Sequence, residues 1–400
     1  MQTLPRRALA KGALAGGFSL ALGARFPAIS SPQPPPASKT YLDVTSFGAK
    51  GDGQTDDTEA LQAALDTVVD LNGLSQPVAV FVPPGVYCSR RLRMHSNSSL
   101  IGIPAYDYER PGGSQIKLTD PNAACLIDIS GTRGVTIQGL CLNGNNVGRG
   151  IHGISRIDPD PSTNPDAKEN ASRIEGCQVA WFSGDGIHMM HSWCWILRHS
   201  MIAYNGGHGL NYVGWDGWIH DCWLTNNGGA GLAAHGPDNY TSAVTITGNR
   251  IEWNLQQGIL ITNGSSFMQI TGNYFDRSYL SAIAITKGDT ASPCSQITIT
   301  GNFFYRSGKS APADSPDSSH LLLEDACGIS CVGNAFMAGN DSGSDTGQGC
   351  SPSRGIIYKN LQNCVITNNV LHEGALKILI DGGGGTGVVV NDNPGSLLKV

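Results

Sequence analysis

Apolar and polar residues alternate in short runs along the chain, as in GILIT (258–262) and QITIT (296–300). A period of two marks strands with one buried face rather than helices. Aligned on Thr-Gly-Asn, residues 247–254 read TGNRIEWN, 271–278 TGNYFDRS and 300–307 TGNFFYRS, with looser copies at 331–338 (CVGNAFMA) and 367–374 (TNNVLHEG). Asn249, Asn273, Asn302, Asn334 and Asn369 therefore follow one another at intervals of 24, 29, 32 and 35 residues. A second marker, Gly before a branched apolar residue, recurs at Gly150, Gly186, Gly209, Gly231 and Gly258. Repeats of this length, each with several short strands, specify a solenoid.

Each repeat is expected to form one coil of about three strands, with coils stacked about 4.8 Å apart. Stacking buries Ile251, Phe275 and Phe304 and aligns the asparagines into a ladder of amides, with Cys177, Ser200 and Cys222 in the ladder position upstream. The expected fold is all-β, a single-stranded parallel β-helix. At the N-terminal end, Thr55, Asp56 or Asp57 can cap an amphipathic helix through Leu61 and Leu65. That helix would cover the open end of the stack. The Asp56-Asp57 pair is read as this cap rather than as a catalytic dyad.

Residues 1–38 are set apart as an export signal and Pro-rich linker. Arg6-Arg7 precede a mild apolar run from Ala13 to Ala24, the pattern of a twin-arginine leader, and SPQPPPAS (31–38) cannot pack. Residues 39–400 are the β-helix domain, with 39–100 as its cap and first coils and 101–400 as coils with loop insertions. The expected location is periplasmic or secreted. Composition agrees with many short strands and tight turns: 52 of 400 residues are Gly, and only 14% are charged, against about 25% in ordinary globular chains. A net charge of −6 leaves no basic field for nucleic acid. Beyond the leader, no apolar run reaches the roughly 20 residues that span a bilayer, so no membrane insertion is expected. Eleven cysteines, an odd number, leave at least one thiol unpaired. Cys327 and Cys331 lack the His or Cys partners of a metal site, so no metal is expected. IDGGGGTGVVV (380–390) lacks the helix that a phosphate loop needs, and no cofactor is expected.

FGAKGDGQTDDTEALQAAL (47–65) with VPPGVY (82–87) resembles the start of the pectate-lyase-like, rhamnogalacturonase/epimerase-type β-helices. The resemblance covers about 50 residues and implies a right-handed coil and a carbohydrate-active enzyme acting on a polysaccharide or oligosaccharide. It also implies that such enzymes can be trimers with sites between subunits. Two subfamily patterns are missing. No Asp-Pro-His of alginate epimerases follows Gly186, and the paired-Asp and Arg-x-Lys motifs of polygalacturonases are not found.

Two sets of residues could carry the chemistry. Glu252 and Asp276 occupy one position in consecutive coils, each directly after an inward Ile251 or Phe275, so both should point outward about 5–6 Å apart. That separation resembles the carboxylate pairing of retaining glycosidases, one acid protonating the leaving oxygen while the other attacks or activates water. Trp181, Tyr204, Trp223, Trp253, Tyr274 and Tyr305 stand at equivalent or adjacent positions, with Arg250, Arg277 and Arg306 among them. Aromatic faces hold sugar rings, and arginines hold hydroxyls or carboxylates.

A second line runs along a different strand. His152, His188 and Asn211 stand two residues past the Gly marker and His235 four past it, with His191, Tyr212, Trp215, Asp216, Asp238 and Lys287 nearby. A lyase or epimerase needs a base beside a charge neutraliser, and histidines along one groove offer the base. The acid pair favours hydrolysis, with Arg277 and His235 orienting substrate. A lyase on the histidine line and a non-catalytic glycan-binding solenoid are the alternatives. Polar insertions at 314–319 and 339–353 could wall a cleft, and Glu324 and Asp325 could join a site from the next coil.

Overall fold

The computed structural model describes residues 41–400 except 68–69, 72–73, 76–77, 106, 109, 161–168, 236–240, 290–291, 309, 313, 338–351, 353, 373–377, 396 and 400. The leader at 1–38, Asp238 and most of the insertion at 339–353 lie outside these residues. Thr40–Val400 forms one compact unit.

The chain winds as a right-handed parallel β-helix. In one coil the first strand is Ile187–Trp193, the second Ile196–Arg198 and the third Met201–Ala203. Third strands form their own 12-stranded parallel sheet. First and second strands merge into one larger sheet because Leu210–His220 runs unbroken through both positions. Alternation works as expected. Ile251 pairs in register with Phe275, and Phe275 with Phe304, each fully buried.

The asparagine ladder forms. The Oδ1 of Asn273 accepts the backbone N–H of Asn249 at 2.9 Å and its Nδ2 at 3.0 Å, and Asn302, Asn334, Asn369 and Asn393 continue the pattern. Cys222 and Cys177 extend it upstream by donating their backbone N–H to Asn249 Oδ1 and Ser200 Oγ. A second ladder, not anticipated from the repeat, follows the third strand. Asn205 Nδ2 donates to Asn227 Oδ1, and Asn227 Nδ2 to Asn254 Oδ1, each at 3.0 Å. This second ladder explains the Gly marker: a Cβ on Gly209 would stand 2.6 Å from Gly231 O and 2.8 Å from Asn227 Nδ2.

The cap is the helix Thr58–Leu65, which buries Leu61, Ala64 and Leu65 in the same core as the coils. Asp56 Oδ1 accepts from Thr58 N at 3.0 Å. Asp57 turns back to accept from Lys50 N and Gly51 N. Both aspartates thus hold the entry to the helix.

Candidate active site

The two sequence-selected sets fall on different faces. Glu252 and Asp276 are cross-strand partners in the third-strand sheet, but they do not meet solvent: they are 3% and 0% exposed. Alternation does turn them away from the core, and the long side chains beside them then fold over. Glu252 Oε1 accepts from Trp223 Nε1 and Arg250 Nε, both at 2.8 Å. Asp276 is gripped by Arg306 through two bonds of 2.8 and 2.7 Å and by Arg277 at 2.6 Å. Such charge-assisted, bidentate pairing fixes a carboxylate instead of leaving it open to transfer protons.

The aromatic residues do gather on this face. Trp223, Arg250, Tyr274 and Phe303 stand in register on successive strands. Trp181, Tyr204, Trp253 and Arg277 follow the third strand at positive φ of 61°, 56°, 56° and 51°. Trp181 and Tyr204 lie parallel with centroids 6.0 Å apart, Arg277 covers Trp253 at 4.5 Å, and Arg306 covers Tyr305 at 4.0 Å.

The histidine line forms a connected site with a register different from the expected one. Ser155, not His152, pairs with His188. The Gly equivalent to Gly186 in that coil is Gly153 rather than Gly150: Ile154 pairs with Ile187, and a Cβ on Gly153 would stand 2.4 Å from Gly186 O. His152, Asp185 and His208 therefore occupy consecutive rungs, each immediately before a marker glycine, while His188 and Asn211 pair on the first strand itself. Asp185 and His208 are functional candidates that the sequence reading missed. Reading one residue before the glycine, rather than two after it, would have found both.

Asp185 is the hub and is buried. Its Oδ1 accepts the backbone N–H of His208 at 2.7 Å. Its Oδ2 accepts from His188 Nδ1 at 2.8 Å and from Asn211 Nδ2 at 3.1 Å. Burial alone would raise the Asp185 pKa, but hydrogen bonds from His188 and His208, the nearby His152 and the Asn211 amide outweigh it and hold the carboxyl below its usual range. Being ionised, Asp185 can only accept, so His188 donates from Nδ1, and the neutral form of the ring has its lone pair on Nε2.

The neighbouring rings are set the other way. His152 Nδ1 accepts the backbone N–H of Asp185 at 3.0 Å, and His208 Nδ1 accepts that of Ala230 at 2.9 Å. Both rings therefore carry their proton on Nε2. The 3.6 Å approach of His152 Nδ1 to Asp185 Oδ2 is consequently not an ion pair, because that nitrogen has no hydrogen to give. Burial pushes the pKa of His152, His208 and His235 down, keeping them neutral. The His152 and His188 rings stack at 4.3 Å, and His235 approaches His208 at 5.7 Å. His235 Nε2 and Asn211 Oδ1 are buried without a partner among the described residues.

His152, Asp185 and His188 bring three ligand-type atoms within 4.8 Å of one another. The two histidine nitrogens nearest the carboxylate already accept from or donate to neighbours, so the trio is a hydrogen-bond network and does not fit a metal cage. The other expected neighbours have separate roles. Tyr212 is buried in the core, His191 Nδ1 bonds Asp158 O, and Asp216 Oδ2 accepts from Trp193 Nε1. Glu324 continues the rung of His235 three coils further on, in register with Lys359. Asn360 Nδ2 donates to Asp325 Oδ1 at 2.6 Å.

Among solved structures, the A-module of mannuronan C-5 epimerase AlgE4 from Azotobacter vinelandii superposes with a TM-score of 0.70 at 16% identity, covering 90% of this chain and 97% of that one. DFA-IIIase from Arthrobacter chlorophenolicus A6 matches at 0.64 and 15% identity, over 88% and 94%. Tailspike protein 2 of Escherichia coli O157:H7 bacteriophage CAB120 matches at 0.64 and 15%, over 89% and 46%. In sequence, 95 residues are 34% identical to the non-secreted LysM effector LysM19 of Penicillium expansum (24% of this chain), and 212 are 24% identical to the pre-neck appendage protein of Bacillus phage phi29 (48% of this chain). The chain spans only 7% and 21% of those two relatives' own length. The model of the right-handed beta helix region matches residues 125–304 and 239–399, more than half of the chain, and the protein belongs to that family.

Proposed function

We propose that this protein is a carbohydrate-active enzyme that removes the proton beside a uronate carboxylate, as a polysaccharide lyase does before β-elimination. The observation that carries this reading is the opposite setting of the rings around Asp185: one imidazole with a free lone pair between imidazoles that can only donate. In this scheme His188 Nε2 takes the proton. Charge then builds on the uronate carboxylate, where the Nε2–H groups of His152 and His208 meet it as neutral donors. Asp185 holds the His188 tautomer and stabilises the imidazolium that forms. The C–O bond at the β-carbon then breaks, the departing oxygen takes the proton back from the His188 imidazolium, and an unsaturated sugar and a neutral His188 remain. The names of the structural neighbours, an epimerase of mannuronan among them, support a glycan substrate.

Hydrolysis by Glu252 and Asp276 is the weaker reading, because both acids are sealed under Arg250, Arg277 and Arg306. Export belongs to the same proposal and rests on Arg6-Arg7 and the apolar run after it. The test is incubation with uronate and neutral polysaccharides in deuterated water. Ultraviolet absorbance of unsaturated uronates, or deuterium at the carbon beside the carboxylate, is expected, and both should vanish in His188→Gln. New reducing ends with neither signal would overturn the reading in favour of hydrolysis.

A further inference from the structure

The third-strand face holds a cavity lined by none of the residues of the histidine site. Its volume is ≈ 520 Å³, and Tyr108, Trp223, Met201, Arg250, His199 and Asp221 are among its walls. That size falls within the range of ligand sites. Tyr108 comes from a distant loop, stacks on Trp223 at 5.1 Å, meets Tyr204 at 5.2 Å and is bonded by Asn226 Nδ2. Tyr204 in turn lines a second hollow of ≈ 420 Å³, together with Trp181, Asn226 and Leu255.

The walls are held in place from beneath. Glu252, 3% exposed, uses one oxygen to fix both Trp223 Nε1 and Arg250 Nε. Arg250 lies over Tyr274 at 4.9 Å, and its side chain stays 53% exposed. A buried carboxylate thus sets an indole and a guanidinium at the edge of one cavity, the kind of support that lowers the ordering cost of binding. Backbone conformation points the same way. Trp181, Tyr204 and Trp253 adopt the left-handed region, which bulky residues enter at a cost and where Asn, as at Asn226, is the easier choice. Aromatic residues at such positions are there for their rings.

We infer that this face is a second, non-catalytic glycan-binding site, in which the Tyr108–Trp223 aromatic wall stacks one sugar ring and Arg250 pairs with its carboxylate. The hollow beside Trp181 and Tyr204 receives the next ring. The ligand class is a uronate-containing chain, so the inference rests on the glycan reading above. The polymer is anchored here while another stretch of it occupies the groove.

Affinity electrophoresis of the full-length chain through gels containing alginate, polygalacturonate or dextran tests this. His188→Gln removes turnover from the experiment. In that background, retardation by one of the two uronate polymers and not by dextran is expected. Arg250→Gln and Trp223→Ala should each weaken it at least tenfold, with melting temperature read in parallel. Arg250→Gln also takes the ion pair from buried Glu252, so Tyr108→Leu, in the loop that supplies the other ring of the wall, should weaken retardation as much and keeps the test decisive if either of the first two variants fails to fold. Retardation unchanged within twofold in Arg250→Gln overturns the inference, and so does a chain that none of the three polymers retards. The deuterium and absorbance assays judge the catalytic reading separately in either case.

Discussion

His188 Nδ1 lies 2.8 Å from Asp185 Oδ2, three residues earlier in the chain, and the same carboxylate also accepts from His208 N and Asn211 Nδ2. The pair straddles a marker glycine, so the tight entry to the strand sets the angle between acid and ring. The aspartate decides which nitrogen of His188 carries the proton.

Asp185→Asn reverses that choice. An amide in place of the carboxylate can donate to His188 Nδ1, moving the ring proton to Nε2 and blocking the base. A fall in kcat of about 10²-fold or more is expected, with KM changed far less. Initial rates of unsaturated product across substrate concentration separate the two constants. Equal losses in kcat in Asp185→Asn and His188→Gln would show that the two act as one unit.

Acid should destabilise the protein through histidines that are neutral when folded. His320 is fully buried between Phe304 and Phe336, and neither ring nitrogen has a partner among the described residues. Burial pushes its pKa down to about 3, whereas unfolded histidine titrates near 6.5. Between those values the unfolded chain binds a proton that the folded one does not, so stability is full above about pH 6.5 and falls as pH drops toward 3. His152, His208 and His235 are shifted in the same direction. Replacing His320 with Leu removes its share. The advantage of His320→Leu over wild type in melting temperature should widen steadily from pH 7 to pH 4.

The coil pattern was legible because backbone pairing repeats it. Asn249, Asn273 and Asn302 recur in sequence for the same reason that they bond in space. Inward positions were legible too, since alternation reports which side of a strand faces the core. It does not report what covers an outward side chain: Arg306, 30 residues from Asp276, closes over it. Tyr108, 118 residues from Asn226, reaches the aromatic face through a loop that no local pattern announces. At the histidine site the register runs through Gly153 rather than Gly150, so Ser155 stands two past the glycine, and Asp185 and His208 each stand one residue before their own marker glycine.

The amide ladder makes each asparagine a shared part of two coils. Asn273 Oδ1 accepts two hydrogens from Asn249, and its Nδ2 donates to Ile246 O at 2.9 Å and to Asn302 Oδ1 at 3.0 Å. Asn273→Ala strands these groups in a site only 2% exposed. An unsatisfied buried polar group costs about 1–3 kcal/mol. A loss of about 2–4 kcal/mol is therefore expected, read as a lower denaturant midpoint. Asn391→Ala, at an exposed position near the end of the stack, should cost less than about 0.5 kcal/mol.

Asp276 separates the structural role of the acid ridge from a catalytic one. Arg306 grips it through two bonds and Arg277 through a third, all within a site closed to water. Asp276→Asn leaves two guanidinium groups facing a neutral amide, and breaking a buried pair from one side costs about 3–5 kcal/mol. The expected outcome is a large drop in the unfolding midpoint, with kcat per folded molecule staying within a few-fold of wild type. Chemical denaturation and active-site-normalised rates on the same preparation give both quantities. A loss of about 10² in kcat at an unchanged midpoint would return the catalytic role to the carboxylate pair and make the ion pairs its resting state.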